Sequence, residues 1–157
     1  MFRNKQTGRS LGDEMNDSLK KFAVLASDRF PDHVVNEAQK LVDDSFRAEQ
    51  YQDGRSSKWA ARKNDDQAGE ARTNRRALLV KSGKLIGSVE AERRGNDIII
   101  GTDVEYAQVH NEGLNAGRGR SVKMPKRQFM PVPGERVEKL DRAVEQWLDA
   151  EMDKIFD

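Results

Sequence analysis

Residues 85–101, LIGSVEAERRGNDIIIG, decide the fold class of this 157-residue chain. In the first half, successive side chains alternate between apolar and polar, with Leu85 and Val89 on the apolar face. The tetrapeptide at 94–97, RGND, has the chemistry of a turn, because glycine and asparagine tolerate positive φ. Three isoleucines follow, and Gly101 ends them. The pattern predicts an antiparallel β-hairpin.

The hairpin needs other elements to cover it, because an isolated two-stranded hairpin is marginally stable in water. Residues 128–132 form a candidate third strand, with Pro125 before it and Pro133 after it. Proline cannot donate to a strand ladder, so these positions predict an edge strand.

Helical periodicity marks both ends of the chain. Within 13–51, apolar residues recur at three- and four-residue steps, from Met15 and Leu19 onward. Pro31 interrupts this region, since proline cannot donate a helical hydrogen bond, and we predict two helices in a hairpin. Residues 135–156 carry a second apolar stripe. The sequence therefore predicts an α+β fold, in which a short antiparallel sheet packs against an N-terminal helical hairpin and a long C-terminal helix, with long polar loops.

Length and composition indicate one domain. A chain of this length typically forms a single core, and we expect residues 13–157 to form it after a flexible arm at 1–12. Two polar stretches, at about 52–76 and 114–124, are predicted to be mobile loops. The first has seven basic residues and four acidic ones. Its one large apolar residue is Trp59, which we expect to pack against the core as a tether.

The composition excludes several kinds of site. No cysteine is present, which removes disulfides, thiolate metal sites and cysteine nucleophiles. The first residues lack the apolar segment of a signal peptide, and no apolar run approaches the roughly 20 residues of a membrane span. The formal net charge is +1, which argues against a globally basic nucleic-acid-binding surface. We expect a soluble protein that is made in the cytosol and has no membrane partner.

Charge is nonetheless unevenly distributed along the chain. Residues 114–128 carry five basic side chains and no acidic one, whereas residues 135–157 carry eight acidic side chains and four basic ones. The five cations are Arg118, Arg120, Lys123, Lys126 and Arg127. Opposite charges on one small subunit favour head-to-tail association of copies. The alternative is that both regions are ordinary solvated surfaces.

No catalytic arrangement stands out in the sequence. His110 and Glu112 lie two residues apart, so on a helix their side chains point in different directions. His33 has no local metal-binding partner, and the sequence has neither a metalloprotease helix nor a phosphate-binding loop. Tyr106 and His110 are four residues apart, which favours a packing pair. We therefore predict no catalytic residue, no cofactor and no metal ligand.

Nucleic-acid binding is the main alternative. The basic loops at 55–76 and 118–127 could contact phosphates without sequence specificity. Aromatic residues make up 6% of the chain, which is too few for the stacking platform that single-strand recognition needs. A metal-dependent nuclease that uses His110 is a weaker alternative.

Three short blocks carry a resemblance to a known family. They are SGKLIGS at 82–88, after a leucine-rich stretch, YAQVHNEG at 106–113, and PKRQF at 125–129. With these blocks in this order around a predicted hairpin, from about 46 to 130, the chain resembles the virion morphogenesis family of tailed phages and prophages. That family comprises the Mu-like tail-completion and head–tail joining proteins.

The resemblance implies a structural protein of the virion. Proteins of this family look like small subunits that form rings at the tail end or at the neck, and no reaction is implied. We therefore expect copies of this chain to form a ring, hexameric in the virion, with other phage tail or neck proteins as partners. DNA would pass through such a ring without sequence-specific contacts. The expected location is the host bacterial cytoplasm during assembly, and then the virion.

The resemblance also implies roles for individual residues. Gly113 would end a short helix, Phe129 would enter the core, and Arg127 would point to a carboxylate of the same or a neighbouring subunit. The basic loop at 117–123 would line the ring or grip the acidic helix of the next copy. The expected structural and interface residues are Trp59, Gly83, Leu85, Tyr106, His110, Gly113, Arg118, Arg120, Lys123, Pro125, Arg127 and Phe129.

Overall fold

The computed structural model of the protein describes residues 10–53, 58–61 and 77–156. Its helices are α1 (Leu11–Val24), α2 (Phe30–Ala48), α3 (Ala107–Glu112) and α4 (Glu138–Phe156). Its strands form two antiparallel pairs, β1 (Glu90–Arg94) with β2 (Asp97–Gly101), and β3 (Asn115–Ala116) with β4 (Val122–Lys123). These elements confirm the predicted α+β class. Most of the predicted arm, residues 1–9, lies outside the described residues.

A single π-helical turn, Leu25–Arg29, joins α1 to α2 without a loop. Its cause is Pro31, which lies in the first turn of α2 and has no N–H to donate. The carbonyl oxygen of Ser27, four residues earlier, instead accepts a hydrogen bond from Nη1 of Arg93 at 2.8 Å. The break predicted at Pro31 is therefore a change of helix type, and the N-terminal helices follow one another as one long helical unit.

The start of α1 is fixed by a capping side chain. Oγ of Ser10 accepts a hydrogen bond from the backbone N–H of Asp13 at 3.1 Å, so the helix begins earlier than the sequence pattern indicates. The apolar stripe of this helix, by contrast, does not reach the core. Met15, Leu19 and Phe22 are all exposed. Periodicity identified the helix correctly, but no described element covers its apolar face.

The C-terminal end of α2 anchors the chain on both sides of the long polar loop. Glu49 ends the helix in the left-handed conformation, with φ of 50°, and its carbonyl oxygen accepts from the backbone N–H of Trp59 at 2.7 Å. The carboxylate of Glu49 accepts from the backbone N–H of Leu78 at 2.6 Å. Residues 54–57 and 62–76, within the loop predicted to be mobile, lie outside the described residues.

The predicted β-hairpin is confirmed, with one difference at its start. β1 and β2 pair in register around a turn at Gly95 and Asn96, as the turn chemistry indicates. The first strand is shorter than predicted, because residues 86–88 form a 3-10 turn. Leu85 therefore packs in the core ahead of the strand and takes no part in the sheet.

A polar side chain of α2 fixes the sheet to the helix. Nε2 of Gln39 donates to the carbonyl oxygen of Val89 at 3.2 Å, and its Oε1 accepts from the backbone N–H of Ala91 at 3.0 Å. These two bonds satisfy backbone groups at the edge of β1 that no strand pairs with. The helix thus takes the place of a neighbouring strand.

The third strand predicted at 128–132 is wrong. This segment is irregular, because the backbone N–H groups of Phe129 and Met130 donate to the side-chain oxygen of Asn111 and not to a strand. The remaining strand pair in the described part of the chain is the short one between β3 and β4.

Helix α4 runs antiparallel to the N-terminal helical unit. Oγ of Ser18 donates to the carbonyl oxygen of Ile155 at 3.2 Å, near the last turn of α4. Further along, the rings of His33 and Trp147 stack with 4.2 Å between their centroids. The helix begins three residues later than predicted, because Glu135 lies in a turn that its own carboxylate closes.

The core lies between α2, the chain around the hairpin, and α3. Its buried members are Val42, Phe46, Trp59, Leu78, Leu85, Val89, Val104, Ala107 and Phe129. They come from all three sequence blocks and from both sides of the polar loop. The three blocks therefore contribute to one packed unit rather than to separate sites.

Candidate functional site

The first part of the site is a buried set of residues around α3, which we call the clamp: Trp59, Asn111, Arg127, Gln128 and Phe129. Asn111 is 2% exposed, and its Oδ1 accepts from the backbone N–H of Phe129 at 2.9 Å. Its Nδ2 donates to the carbonyl oxygen of Met130 at 3.2 Å. Buried polar groups need such partners. One asparagine thus holds the PKRQF block against α3.

The clamp also holds the polar loop. Nε1 of Trp59 donates to the carbonyl oxygen of Gln128 at 2.8 Å, and its ring packs edge-on against Phe46 at 5.7 Å. The ring of Trp59 thus packs against the core, and its role as a tether for the loop stays an expectation. From the other side, the guanidinium of Arg127 donates to the carbonyl oxygens of Ala60, at 2.8 and 3.0 Å, and of Ala61, at 3.2 Å.

Within the described residues, the guanidinium of Arg127 donates to two backbone carbonyl oxygens, which the sequence analysis did not predict. The carboxylate partner that the resemblance implies for Arg127 stays an expectation. Its backbone N–H also donates to the carbonyl oxygen of His110 at 2.7 Å. Because Arg127 is 6% exposed, it does not belong to the basic surface that the sequence analysis assigned to it.

Two predicted roles in the clamp region are confirmed. Phe129 is fully buried and lies 4.9 Å from the ring of Phe46. Gly113 ends α3 with φ of 70°. A Cβ on Gly113 would lie 2.8 Å from the backbone nitrogen of Lys126, the residue after Pro125, so the two blocks approach each other at van der Waals distance here.

Tyr106 and His110 form the packing pair that their spacing predicts. Their rings meet edge to face, with 6.0 Å between centroids. Nδ1 of His110 is buried and has no hydrogen-bond partner among the described residues. Burial, and then the charge of Arg127, lower the pKa of His110 below 6.5. The histidine is thus held neutral near pH 7.

The first block, SGKLIGS at 82–88, contributes to the core and to the turn before β1. Leu85 is 2% exposed. Gly83 adopts φ of 71°, and its carbonyl oxygen accepts from the backbone N–H of Gly87 at 2.9 Å, which closes a turn before β1. These two residues position the chain that leads into the sheet.

The second part of the site is the basic tip, residues 117–123, which comprises the loop after β3 and the strand β4. Arg118, Arg120 and Lys123 are all exposed there. A 3-10 turn is closed by the backbone N–H of Arg120, which donates to the carbonyl oxygen of Gly117 at 2.9 Å. The tip therefore presents three cations on a short hairpin, and Lys126 adds a fourth exposed cation nearby.

Helix α4 exposes four acidic side chains and three basic ones, Lys139, Arg142 and Lys154. Glu138, Glu145, Asp149 and Asp153 are exposed. Glu151 is buried, and its carboxylate lies 2.7 Å from Nζ of Lys154 and 2.8 Å from Nη1 of Arg29. Glu151 therefore does not belong to the exposed charged surface of α4, and it instead fixes this helix to the π-helical turn.

Some features predicted from the sequence lie only partly within the described residues. Of the seven cations at 52–76, Lys58 is exposed, and the other six lie outside the described residues. The described ranges contain no group of three or more side chains placed to bind a metal ion. None of the helices in these ranges is long and apolar enough to cross a membrane.

Sequence reasoning missed the residues that hold the blocks together. Asn111, Gln39 and Glu49 all bond backbone groups that lie 18 to 52 positions away. The one local signal is the position of Asn111 within the YAQVHNEG block. If this position faced solvent, the block would not need an asparagine there.

Fold and site together define a small α+β protein in which the second and third sequence blocks meet in the buried clamp and residues 117–123 form an exposed basic tip. A model of the phage virion morphogenesis family matches residues 9–149, which include every element except the end of α4. The chain belongs to the phage virion morphogenesis family.

One relative is similar to this chain over part of its length. The Mu-like prophage FluMu G protein 2 of Haemophilus influenzae is 42% identical over 52 residues. That stretch covers 33% of this chain and 38% of the relative, so the similarity spans well under half of either protein. No solved structure matches the chain.

Proposed function

We propose that this protein acts in tail completion or in joining the head to the tail of a phage particle, by assembling into a ring of copies and without catalysing a reaction. The family match over residues 9–149 supports a part in virion morphogenesis. The observation that carries the proposal is a contrast between the motif residues. Those of the clamp are buried by internal packing, whereas the cations of the basic tip face outward.

The basic tip of one copy would contact the acidic face of α4 in the next. Arg118, Arg120 and Lys123 are exposed on one surface, and Asp149 and Asp153 are exposed on another. Two different surfaces that complement each other make a head-to-tail contact, which produces a ring when the rotation closes. Assembly would take place in the host cytoplasm with other tail or neck proteins.

The test is to replace Arg118, Arg120 and Lys123 with glutamate in one variant. A matched control reverses three other exposed cations, Lys40, Lys81 and Lys84. We expect the first variant to keep its melting temperature and to fail to complement a phage that lacks this gene, with unjoined heads and tails in electron micrographs. The control should complement. Full complementation by the first variant would contradict the role of the basic tip.

Non-specific DNA binding is the second candidate, and the same exposed cations favour it. Of the loops at 55–76 and 118–127 that would contact DNA, the second retains three tip cations and Lys126, because Arg127 is buried. Contacts of this kind make affinity fall steeply with salt. A monomer that binds duplex DNA with a salt slope reduced in the triple variant would support this candidate over ring assembly.

A further inference from the structure

The outer edge of β2 carries backbone groups that nothing in the described part of the chain pairs with. In an antiparallel pair, opposite residues alternate between those that exchange hydrogen bonds and those whose N–H and C=O groups point away from the partner strand. The N–H of Ala91 bonds to Gln39 on the outer side of β1, so Ala91 and the opposite residue, Ile100, are of the second kind. By the same alternation, so is Ile98. The N–H and C=O groups of Ile98 and Ile100 therefore point outward from β2.

The two edges of the hairpin differ. Gln39 of α2 bonds to the edge of β1, whereas the edge of β2 lacks the features that usually protect an open edge. The strand Asp97–Gly101 has no lysine and no proline, and it pairs with β1 without a bulge. Its one charge, Asp97, lies at the turn, and Ile99 at its centre is 38% exposed. An unprotected edge of this kind is a template for a further strand.

A groove of about 670 Å³ adjoins this edge on the inner face of the sheet. Its lining comes from the hairpin, the start of α2 and the first turns of α4, and its apolar members include Ile98, Pro31, Val34, Leu140 and Val144. Side chains of a strand alternate between the two faces of a sheet. A strand added at β2 would therefore place every second side chain beside Ile98, at the groove.

The groove sets no charge for what fills it. Its four charged members, two arginines and two acids, sum to zero. Both arginines already have partners, since Arg93 donates to the carbonyl oxygen of Ser27 at 2.8 Å and Arg136 donates to Asp141 at 2.6 Å. The other acid, Glu145, is exposed. The inner positions of an added strand therefore require apolar side chains.

The outer face of the sheet is acidic. It has four acids and one base, and these charged members are Glu90, Glu92, Asp97, Asp103 and Arg94. Arg94 pairs with Glu92, which leaves Glu90 and Asp103 without an ion-pair partner among the described residues. Basic side chains at the outer positions of an added strand would lie on the same face as these carboxylates. The outer positions therefore favour lysine or arginine.

We propose that β2 binds an extended segment of another protein as a third strand. The backbone of that segment bonds to the outward groups of Ile98 and Ile100. Its apolar side chains face the groove, and the basic side chains that alternate with them face the acidic outer surface. The β2 edge of a second copy fits less well, because the joined sheet would bring two acidic outer faces together. The proposal goes beyond the proposed function and does not rest on it.

Amide hydrogen exchange, followed by NMR, tests the pairing residue by residue. In the free protein the N–H of Ile99 points toward β1 and should exchange slowly, whereas those of Ile98 and Ile100 point outward and should exchange quickly. The probe is a seven-residue peptide of alternating lysine and valine. At saturating peptide we expect exchange at Ile98 and Ile100 to slow by about tenfold or more, with little change at Ile99.

Two control peptides test the chemistry of the partner. A peptide of alternating glutamate and valine keeps the strand pattern and reverses the charge, so we expect it to bind roughly tenfold more weakly. A peptide with the same lysines and valines grouped in two blocks keeps the charge and loses the alternation, and it should not protect Ile98 and Ile100. Equal binding of all three peptides would contradict an alternating basic partner.

A pair of variants tests the backbone of the edge. Ile98→Pro removes an N–H that takes no part in pairing with β1, and an edge strand tolerates proline at such a position. Ile98→Ala is the matched control, because it shortens the same side chain and keeps the N–H. Slow exchange at Ile99 shows that the hairpin is intact in each variant. We expect the proline variant to bind the lysine–valine peptide about fivefold more weakly than the alanine variant, since one hydrogen bond is lost.

Two results would overturn the proposal. If exchange at Ile98 and Ile100 slows as the concentration of the protein itself rises, without any peptide, a second copy occupies the edge. If the lysine–valine peptide leaves exchange at Ile98 and Ile100 of the wild type unchanged, the edge does not bind a strand of this chemistry. Both results are read on the wild type, so they stand even if the proline variant does not fold.

Discussion

Gly113 is constrained in two independent ways. Its φ of 70° is in the left-handed region, which costs a residue with a Cβ about 1–2 kcal/mol. In addition, a Cβ here would lie 2.8 Å from the backbone nitrogen of Lys126 and 2.9 Å from its Cα. A backbone contact cannot be relieved by rotating a side chain. Any other residue would therefore push the PKRQF block away from α3.

Substitution of Gly113 by alanine should lower the free energy of unfolding by roughly 2–4 kcal/mol, since strain and collision add. Gly134→Ala is the matched control. Gly134 has φ of 80°, but nothing lies within 4 Å of its Cβ position, so only the conformational cost of about 1 kcal/mol applies. Urea denaturation measures both. Equal losses would show that the contact with Lys126 does not matter.

Asn111 illustrates what a sequence pattern cannot reveal at this scale. The roles of Gly113 and Phe129 followed from the family resemblance, and a glycine at a helix end and a large aromatic residue are also locally consistent with them. The structural role of Asn111 depends on its hydrogen bonds to backbone groups 18 and 19 positions away, at Phe129 and Met130. An asparagine on a short helix looks the same whether it is solvated or buried.

Among the elements, α4 is attached to the N-terminal helices by a buried carboxylate. Hydrogen bonds from Lys154, and then from Arg29, hold the pKa of the Glu151 carboxyl below its ordinary value of 4.5, although burial acts in the opposite direction. Arg29 also lies over the ring of Trp147, at 5.9 Å from its centroid. The π-helical turn is thus the point at which α4 is fixed.

The lowered pKa predicts how acid affects stability. The unfolded chain binds a proton at Glu151 at higher pH than the folded chain does, so the stabilisation is complete above 4.5 and is lost as the pH falls through the folded pKa. We expect the unfolding free energy of the wild type to fall more steeply below about pH 4.5 than that of Glu151→Gln.

Denaturation at a series of pH values measures this difference. Asp149→Asn is the control, because it removes an exposed acid from the same helix. It should leave the wild-type profile unchanged. Parallel profiles for the wild type and Glu151→Gln would mean that the carboxylate does not help to hold α4.

Local pattern predicted which elements form but not what covers them. The hairpin was predictable because its turn and alternation lie within 17 residues, 85–101. The third strand at 128–132 failed because a side chain of α3 took the backbone groups that a strand would have used. In α1 the apolar period was correct, but periodicity does not show whether a face is buried in the same chain or left exposed.

For the whole molecule, the contact proposed between copies should depend on ionic strength. The basic tip and the acidic face of α4 would attract each other through exposed charges. Salt screens such charges, with a screening length of about 10 Å at 0.1 M and roughly 3 Å at 1 M. Self-association should therefore weaken in a salt titration.

We expect self-association of the wild type, followed by light scattering at increasing sodium chloride, to weaken with salt and then reach a plateau. The decline should disappear when Arg118, Arg120 and Lys123 are replaced with glutamate, since those cations supply the screened attraction. A wild type indifferent to salt would contradict the charge contact.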